Sequence, residues 1–244
     1  MPNQASLLPG TQNTRDLGGY ALPGGGATRS RVLLRSDHLA RTGEADAALL
    51  AAWDVRLIID LRREDEVLKN PTSAPLAQRF SILRLPVDNT AFFARRKNDP
   101  SFQLWELYES MLAHQGPQFA AAVRQMARVL PHGVLFHCSA GKDRTGLLAA
   151  LLLSCAGVSP ADIVEDYAVT ERLLYDKPPE EIATIPPDTD PAFYRMLLGS
   201  GARHMEKTLQ LLEGYGGPRQ YLLDAGVPQA ELDFVLQCLC GSPA

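Results

Sequence analysis

The chain of 244 residues is short of cysteine and of aromatic side chains, and neither sign of charge dominates it. Its four cysteines, at 138, 155, 238 and 240, are too few and too irregular for a disulfide scaffold. A chain of this length buries enough surface to need no such staples. Only Cys238-x-Cys240 has a short spacing, without the partners a zinc site requires, so all four read as reduced thiols and no metal or cofactor is expected. Twenty-four basic against 28 acidic residues leave a net charge of −4, which argues against a nucleic-acid binder. An anionic substrate stays open, because a local pocket overrides the global field. The longest apolar run, 147–158, contains Ser154, Cys155 and Gly157 and falls short of the roughly 20 residues that cross a bilayer. No integral membrane segment is therefore expected. The opening MPNQASLLPG has neither a basic start nor an apolar core, so the chain reads as cytoplasmic, or exported without a recognisable signal peptide. With 45% hydrophobic and 21% charged residues, the composition is that of a soluble globular protein.

Residues 1–30 are rich in Gly, Pro, Asn and Gln, and GGYALPGGGATRS reads as a loop or ragged hairpin. Short strands are expected at 32–34, 55–61, 82–85 and 134–136. Helices are expected at 44–53, 102–112 and 119–130, the last from the spacing of Phe119, Val123, Met126, Ala127 and Leu130. Another runs from near Thr145 to near Gly157, and Ser159-Pro160 has the signature of a helix start. Residues 178–191 read as a proline-broken connector, and helical stretches follow at 203–213, 218–224 and 228–240. Strand and helix alternate over the first 160 residues, which implies an α/β fold with a mostly parallel central sheet flanked by helices. The helices of 160–244 are expected to pack on the same core, giving a single domain over 1–244.

The chemistry concentrates in His137-Cys138-Ser139-Ala140-Gly141-Lys142-Asp143-Arg144-Thr145-Gly146, between an apolar strand and an apolar helix. A cysteine, five residues and an arginine form one turn around an anion, with successive backbone N–H groups pointing inward. The following helix adds the positive end of its dipole. Arg144 offers a planar fork for two phosphate oxygens, and Gly141 and Gly146 let the backbone curl closely. The same field favours a thiolate at Cys138, a good nucleophile toward phosphorus, and Thr145 is placed to donate a hydrogen bond to its sulfur. Cys155, Cys238 and Cys240, with no such surroundings, read as small buried hydrophobes. A nucleotide-binding P-loop is excluded: Asp143 stands where Ser or Thr would bind magnesium, and the upstream glycine is missing.

HCSAGKDRTG resembles the H-C-x5-R-T loop of cysteine-dependent phosphatases. Its Lys-Asp pair resembles a bacterial branch, the broad-specificity tyrosine phosphatases of the mycobacterial and Listeria type. Asn13-Thr14-Arg15-Asp16-Leu17-Gly18-Gly19 resembles that branch's opening motif, with Thr14 in place of an aromatic residue. Leu34-Arg35-Ser36-Asp37, Ile59-Asp60-Leu61-Arg62 with Glu64 or Glu66 beyond, and Tyr215-Gly216-Gly217 with Tyr221-Leu222 resemble three further segments, so the likeness spans nearly the whole chain.

The resemblance implies a cysteine-phosphatase-like fold with additional C-terminal helices. It also implies a two-step reaction in which Cys138 forms a phosphocysteine that water then hydrolyses. Phosphate would be held by Arg144 and by the loop at Ser139, Ala140, Gly141, Lys142 and Asp143. For the general acid, Asp143 is the first choice and Asp88, after the strand at 82–85, the second; Asp88 is otherwise a turn residue. His137 is expected to orient the loop. Asp60 and Arg62 are expected to orient the site or to tie the sheet to the N-terminal segment, unless they are a plain buried ion pair, and Asp16 has a similar reading. Lys142 would raise the positive potential at the rim. The stretch Phe92-Phe93-Ala94-Arg95-Arg96-Lys97 reads as a lid, a contact for anionic lipid, or a solvated loop with buried aromatics. The implied substrate is a phosphorylated protein or a phosphoinositide. The competing readings are a rhodanese-like sulfurtransferase, which also cradles a cysteine between strand and helix, and a non-catalytic phosphate-binding module.

Overall fold

The computed structural model describes residues 5–175 and 188–241. Four strands run parallel: β2 (Leu33–Ser36), β3 (Val55–Asp60), β4 (Ser81–Arg84) and β5 (Gly133–His137), with the two-residue β1 (Arg15–Asp16) as an antiparallel edge. The order across the sheet is β1-β2-β5-β3-β4. The central strands are apolar toward both faces, as strands covered on both sides must be. Alternate residues serve different cores. Leu34, Ile58 and Leu135 pack with Ala47 and Leu50 of α1 (Glu44–Ala52) and Leu76 of α3 (Ala74–Arg79). Leu33, Ile59, Val134 and Phe136 join the larger core.

That larger core is covered by α5 (Leu104–His114), α6 (Gly116–Val129), α7 (Asp143–Cys155) and α8 (Pro160–Tyr175). The C-terminal helices α10 (Ala202–Gly214), α11 (Pro218–Asp224) and α12 (Gln229–Cys240) place Met205, Leu212, Leu222, Leu232 and Leu239 in the same apolar cluster. Phe119, Val123 and Met126, spaced at helical period, are fully buried on α6. Ser159 Oγ accepts the Asp162 amide at 3.1 Å, the cap expected ahead of α8. The ragged hairpin closes with a bridge between Ala21 and Ala27. Among the described residues no helix is long and apolar enough to cross a membrane.

Four helices went unread in the sequence: α2 (Glu64–Lys69), α3, α4 (Thr90–Arg96) and α9 (Pro191–Leu198). The first three span only six or seven residues, too few to display a period. The last begins at Pro191, where the expected proline-broken connector ends, and Asp190 caps it by accepting the Ala192 and Phe193 amides at 2.9 Å. Residues 178–187 of that connector lie outside the described residues.

Candidate active site

Because β2 to β5 are parallel, their C-terminal ends gather on one edge of the sheet, and the segment leaving β5 sits among them. Cys138 follows β5 directly and is 1% exposed. The chain then turns through Gly141 at φ +68°, and a Cβ there would lie 2.6 Å from the carbonyl carbon of Ser36, so only glycine fits. Four successive carbonyls of the turn are held from outside. The Cys138 carbonyl accepts from His137 Nδ1 at 3.1 Å, Ser139 from the His38 amide at 2.9 Å, Ala140 from Asn13 Nδ2 at 2.8 Å and Gly141 from Arg35 Nη2 at 2.6 Å. In a trans peptide the N–H points opposite to the carbonyl, so the amides that follow these carbonyls face the interior of the loop. Among the described residues the amides of 139–145 donate to no protein acceptor.

Arg144 stands in the first turn of α7. Its Nη1 and Nη2 donate to Glu66 Oε2 and Oε1 at 2.6 and 2.7 Å, and Ser139 Oγ donates to Glu66 Oε1 at 2.6 Å. Glu66, rather than Glu64, is therefore the partner of the loop arginine. Burial pushes the Glu66 carboxyl up, but the hydrogen bonds and charge of Arg144 and the Ser139 hydroxyl outweigh it and bring it down to about 2. Burial likewise works against the charge of Arg144, and Glu66 and the neighbouring Cys138 sulfur more than restore it.

Asp143 keeps 26% of its side chain exposed and accepts a hydrogen bond from Tyr108 Oη at 2.7 Å. Tyr108 Oη also lies 2.5 Å from Tyr167 Oη. Burial first, then the charge of Asp143, raises both phenols well above their ordinary value, so both remain donors. Asp88 is exposed four residues beyond β4 and accepts from Thr90 N at 2.8 Å and Thr90 Oγ1 at 2.6 Å. The Thr90 hydroxyl and amide hold its carboxyl below the usual range.

Lys142 departs from expectation. It is not at the rim but 1% exposed, and its Nζ donates to the carbonyls of Leu197 and Gly199 at the C-terminus of α9. Those carbonyls have no intrahelical partners and attract a cation. Asp60 and Arg62 form a buried two-bonded pair at 2.8 and 2.7 Å. Arg62 also donates to the carbonyl of Asn70 at 2.7 Å, so the pair ties the sheet to the end of α2 and not to the N-terminal segment. Burial lowers His137 to about 4, and its Nε2 stands 3.7 Å from Asp60 Oδ2. Asp16 holds its own loop through the Gly18 and Arg31 amides at 2.9 and 2.8 Å. Thr145 Oγ1 is buried and makes no hydrogen bond among the described residues, so the expected bond to sulfur is not formed here. Residues 92–96 of the stretch 92–97 lie in helix α4, with the Phe92 ring tilted against Phe102 and Phe102 tilted against Phe193, while Arg96 binds Glu106 at 2.8 Å.

Sequence reasoning missed Tyr108, Tyr167 and Asp166. Asp166 falls among Ile163, Tyr167 and Thr170, all buried, at helical spacing. A carboxylate inside an apolar stripe was the available signal.

A cysteine at the floor of an amide-lined turn, with an arginine opening the next helix, defines the class of cysteine-dependent phosphatases. The chain belongs to the tyrosine phosphatase family, whose pattern matches residues 7–240. It is 35% identical over 215 residues to a tyrosine-protein phosphatase of Nostoc commune, covering 82% of this chain and 71% of that one. It is 28% identical over 281 residues to a triple specificity protein phosphatase of Mycobacterium tuberculosis, covering 96% and 98%. Among solved structures, Pseudomonas aeruginosa TpbA matches with a TM-score of 0.35 at 21% identity, over 57% of this chain and 68% of that one.

Proposed function

We propose that the chain hydrolyses phosphate monoesters through a phosphocysteine intermediate on Cys138. Phosphotyrosine is the leading substrate, and phosphoserine, phosphothreonine and phosphoinositides are further ones. The observation that carries this reading is the run of amides at 139–145 without protein acceptors around a buried cysteine. Buried N–H groups left unpaired are costly, and an anion with several oxygens satisfies them together. The M. tuberculosis relative is named a triple specificity protein phosphatase, which supports the wider substrate range.

Cys138 Sγ attacks phosphorus; the S–P bond forms as the ester P–O bond breaks. Asp143 gives its proton to the departing oxygen. Water then attacks the phosphocysteine, Asp143 takes a proton from it, and phosphate leaves as the thiolate returns. Charge on the phosphoryl oxygens meets the loop amides and Arg144, whose fork Glu66 holds flat. Asp143 suits the acid role because it adjoins Arg144 in the loop and is oriented by Tyr108, whereas both oxygen-directed bonds of Asp88 serve to start α4. The C-terminal helices share the main core and complete one phosphatase domain.

Phosphate release, with chelator present, from phosphotyrosine and phosphothreonine peptides and phosphoinositide vesicles tests the reading. Wild type turns over and Cys138→Ser does not. Asp143→Asn loses about 10²- to 10³-fold in kcat on peptides, while Asp88→Asn stays within about twofold. Turnover by Cys138→Ser overturns the mechanism, and sulfur transfer from thiosulfate to cyanide by the wild type would establish the sulfurtransferase instead.

A further inference from the structure

Two guanidinium groups share one carboxylate beside the loop. Asp166 Oδ1 accepts from Arg15 Nε at 2.9 Å and from Tyr20 Oη at 3.0 Å, and its Oδ2 accepts from Arg35 Nη1. Arg15, Arg35 and Asp166 are all but fully buried, with side chains 0%, 1% and 2% exposed. Among the described residues no second carboxylate comes within ion-pair distance of either arginine. The cluster therefore carries one positive charge in excess, in surroundings where an unbalanced charge is costly. On the other flank of β5 Glu66 pairs with Arg144 and lies 3.5 Å from Arg63, which Asp65 meets at 3.0 Å, so two carboxylates balance two guanidinium groups. The surplus touches the loop: Arg35 Nη2 donates to the Gly141 carbonyl at 2.6 Å.

We propose that Arg35 is a positioning residue for the bound phosphoryl group, an inference that rests on the loop being a phosphate site. Arg35 fixes the Gly141 peptide so that the Lys142 amide faces the anion. It also supplies the unbalanced positive charge that a phosphate dianion in the loop offsets. Asn13 fixes the neighbouring Ala140 peptide with a neutral amide, whose Oδ1 accepts from Arg15 Nη1, so it positions the loop and touches the cluster but carries no charge of its own.

The test measures the affinity of the whole chain for inorganic phosphate by calorimetry, with KM and kcat for p-nitrophenyl phosphate and thermal unfolding alongside. Arg35→Met weakens phosphate binding by about 10- to 100-fold and raises KM more than it lowers kcat. Arg35→Lys, which keeps the charge, recovers most of that loss. Asn13→Ser, which shortens the neutral contact to Ala140 and withdraws the acceptor from Arg15 while leaving both arginine charges in place, costs less than about tenfold. If Arg35→Met fails to fold, Arg35→Gln, which keeps a neutral donor toward Gly141, takes its place. A folded Arg35→Met or Arg35→Gln with wild-type phosphate affinity overturns the proposal, as does an equal loss in the lysine and methionine variants. Wild type that binds phosphate without turnover defeats the phosphocysteine mechanism but leaves this inference measurable. Wild type that does not bind phosphate defeats both.

Discussion

The loop is flanked by two arginine–carboxylate clusters that use the same chemistry for different ends. On the β3 side Glu66 takes both Nη atoms of Arg144 and the Ser139 hydroxyl, and the carboxylate is 17% exposed. On the β2 side Asp166 takes two arginines and a tyrosine, all out of solvent. The Glu66 side is balanced, because Asp65 meets the second arginine, Arg63, and it is partly open to solvent; its two bonds to Arg144 fix the direction of the arginine fork. The Asp166 cluster is unbalanced and buried, and it joins β1, β2 and α8 to the loop carbonyls. Stoichiometry and burial, rather than residue type, decide which cluster aims the site and which charges and holds it.

The sharpest division comes from removing each carboxylate in turn. Asp166→Asn leaves two buried guanidinium groups facing each other and is expected to cost about 3–5 kcal/mol in urea unfolding. Glu66→Gln should lower kcat by about 10²-fold, because the fork is no longer held, with a much smaller change in unfolding. If Glu66→Gln unfolds early while Asp166→Asn merely slows turnover, the comparison is wrong.

The Glu66 carboxyl also predicts a pH window. Its folded value, about 2, lies below the ordinary 4.5, so the pair stabilises fully above 4.5 and loses that contribution as pH falls toward 2. The stability gap between wild type and Glu66→Gln should therefore close over that interval, and a gap that widens on acidification would contradict the pairing. The smallest expected effect concerns Lys142, which belongs to neither cluster. Lys142→Met leaves the Leu197 and Gly199 carbonyls without their donor and should cost about 1–3 kcal/mol, with phosphate affinity little changed. A large loss of phosphate affinity would return Lys142 to the rim role first expected of it.

The site was legible where its geometry is local. An anion-binding turn is built from consecutive residues, so 137–146 disclosed the cysteine, the arginine, the glycine demanded by a positive φ and the helix start. The central strands were legible too, since β5 is apolar from Val134 to Phe136 and β3 is broken only by the exposed Arg56 before its closing Asp60. What stayed hidden was held together across distance. Glu66 lies 78 residues from Arg144, and Asp166 lies 151 residues from Arg15 and 131 from Arg35. No spacing rule links such pairs; the choice of Glu66 over Glu64 depends on which face of a six-residue helix meets the loop.

The sequence alone determined that Cys138 and Arg144 flank one turn of backbone amides ahead of a helix N-terminus, the frame of the proposed anion site, because these follow from chain order. The tertiary structure alone decided where each charge points. Burial makes an unpaired charge expensive, so Lys142 turned to the α9 carbonyls, Asp143 to Tyr108, and two arginines to a single aspartate beneath the loop.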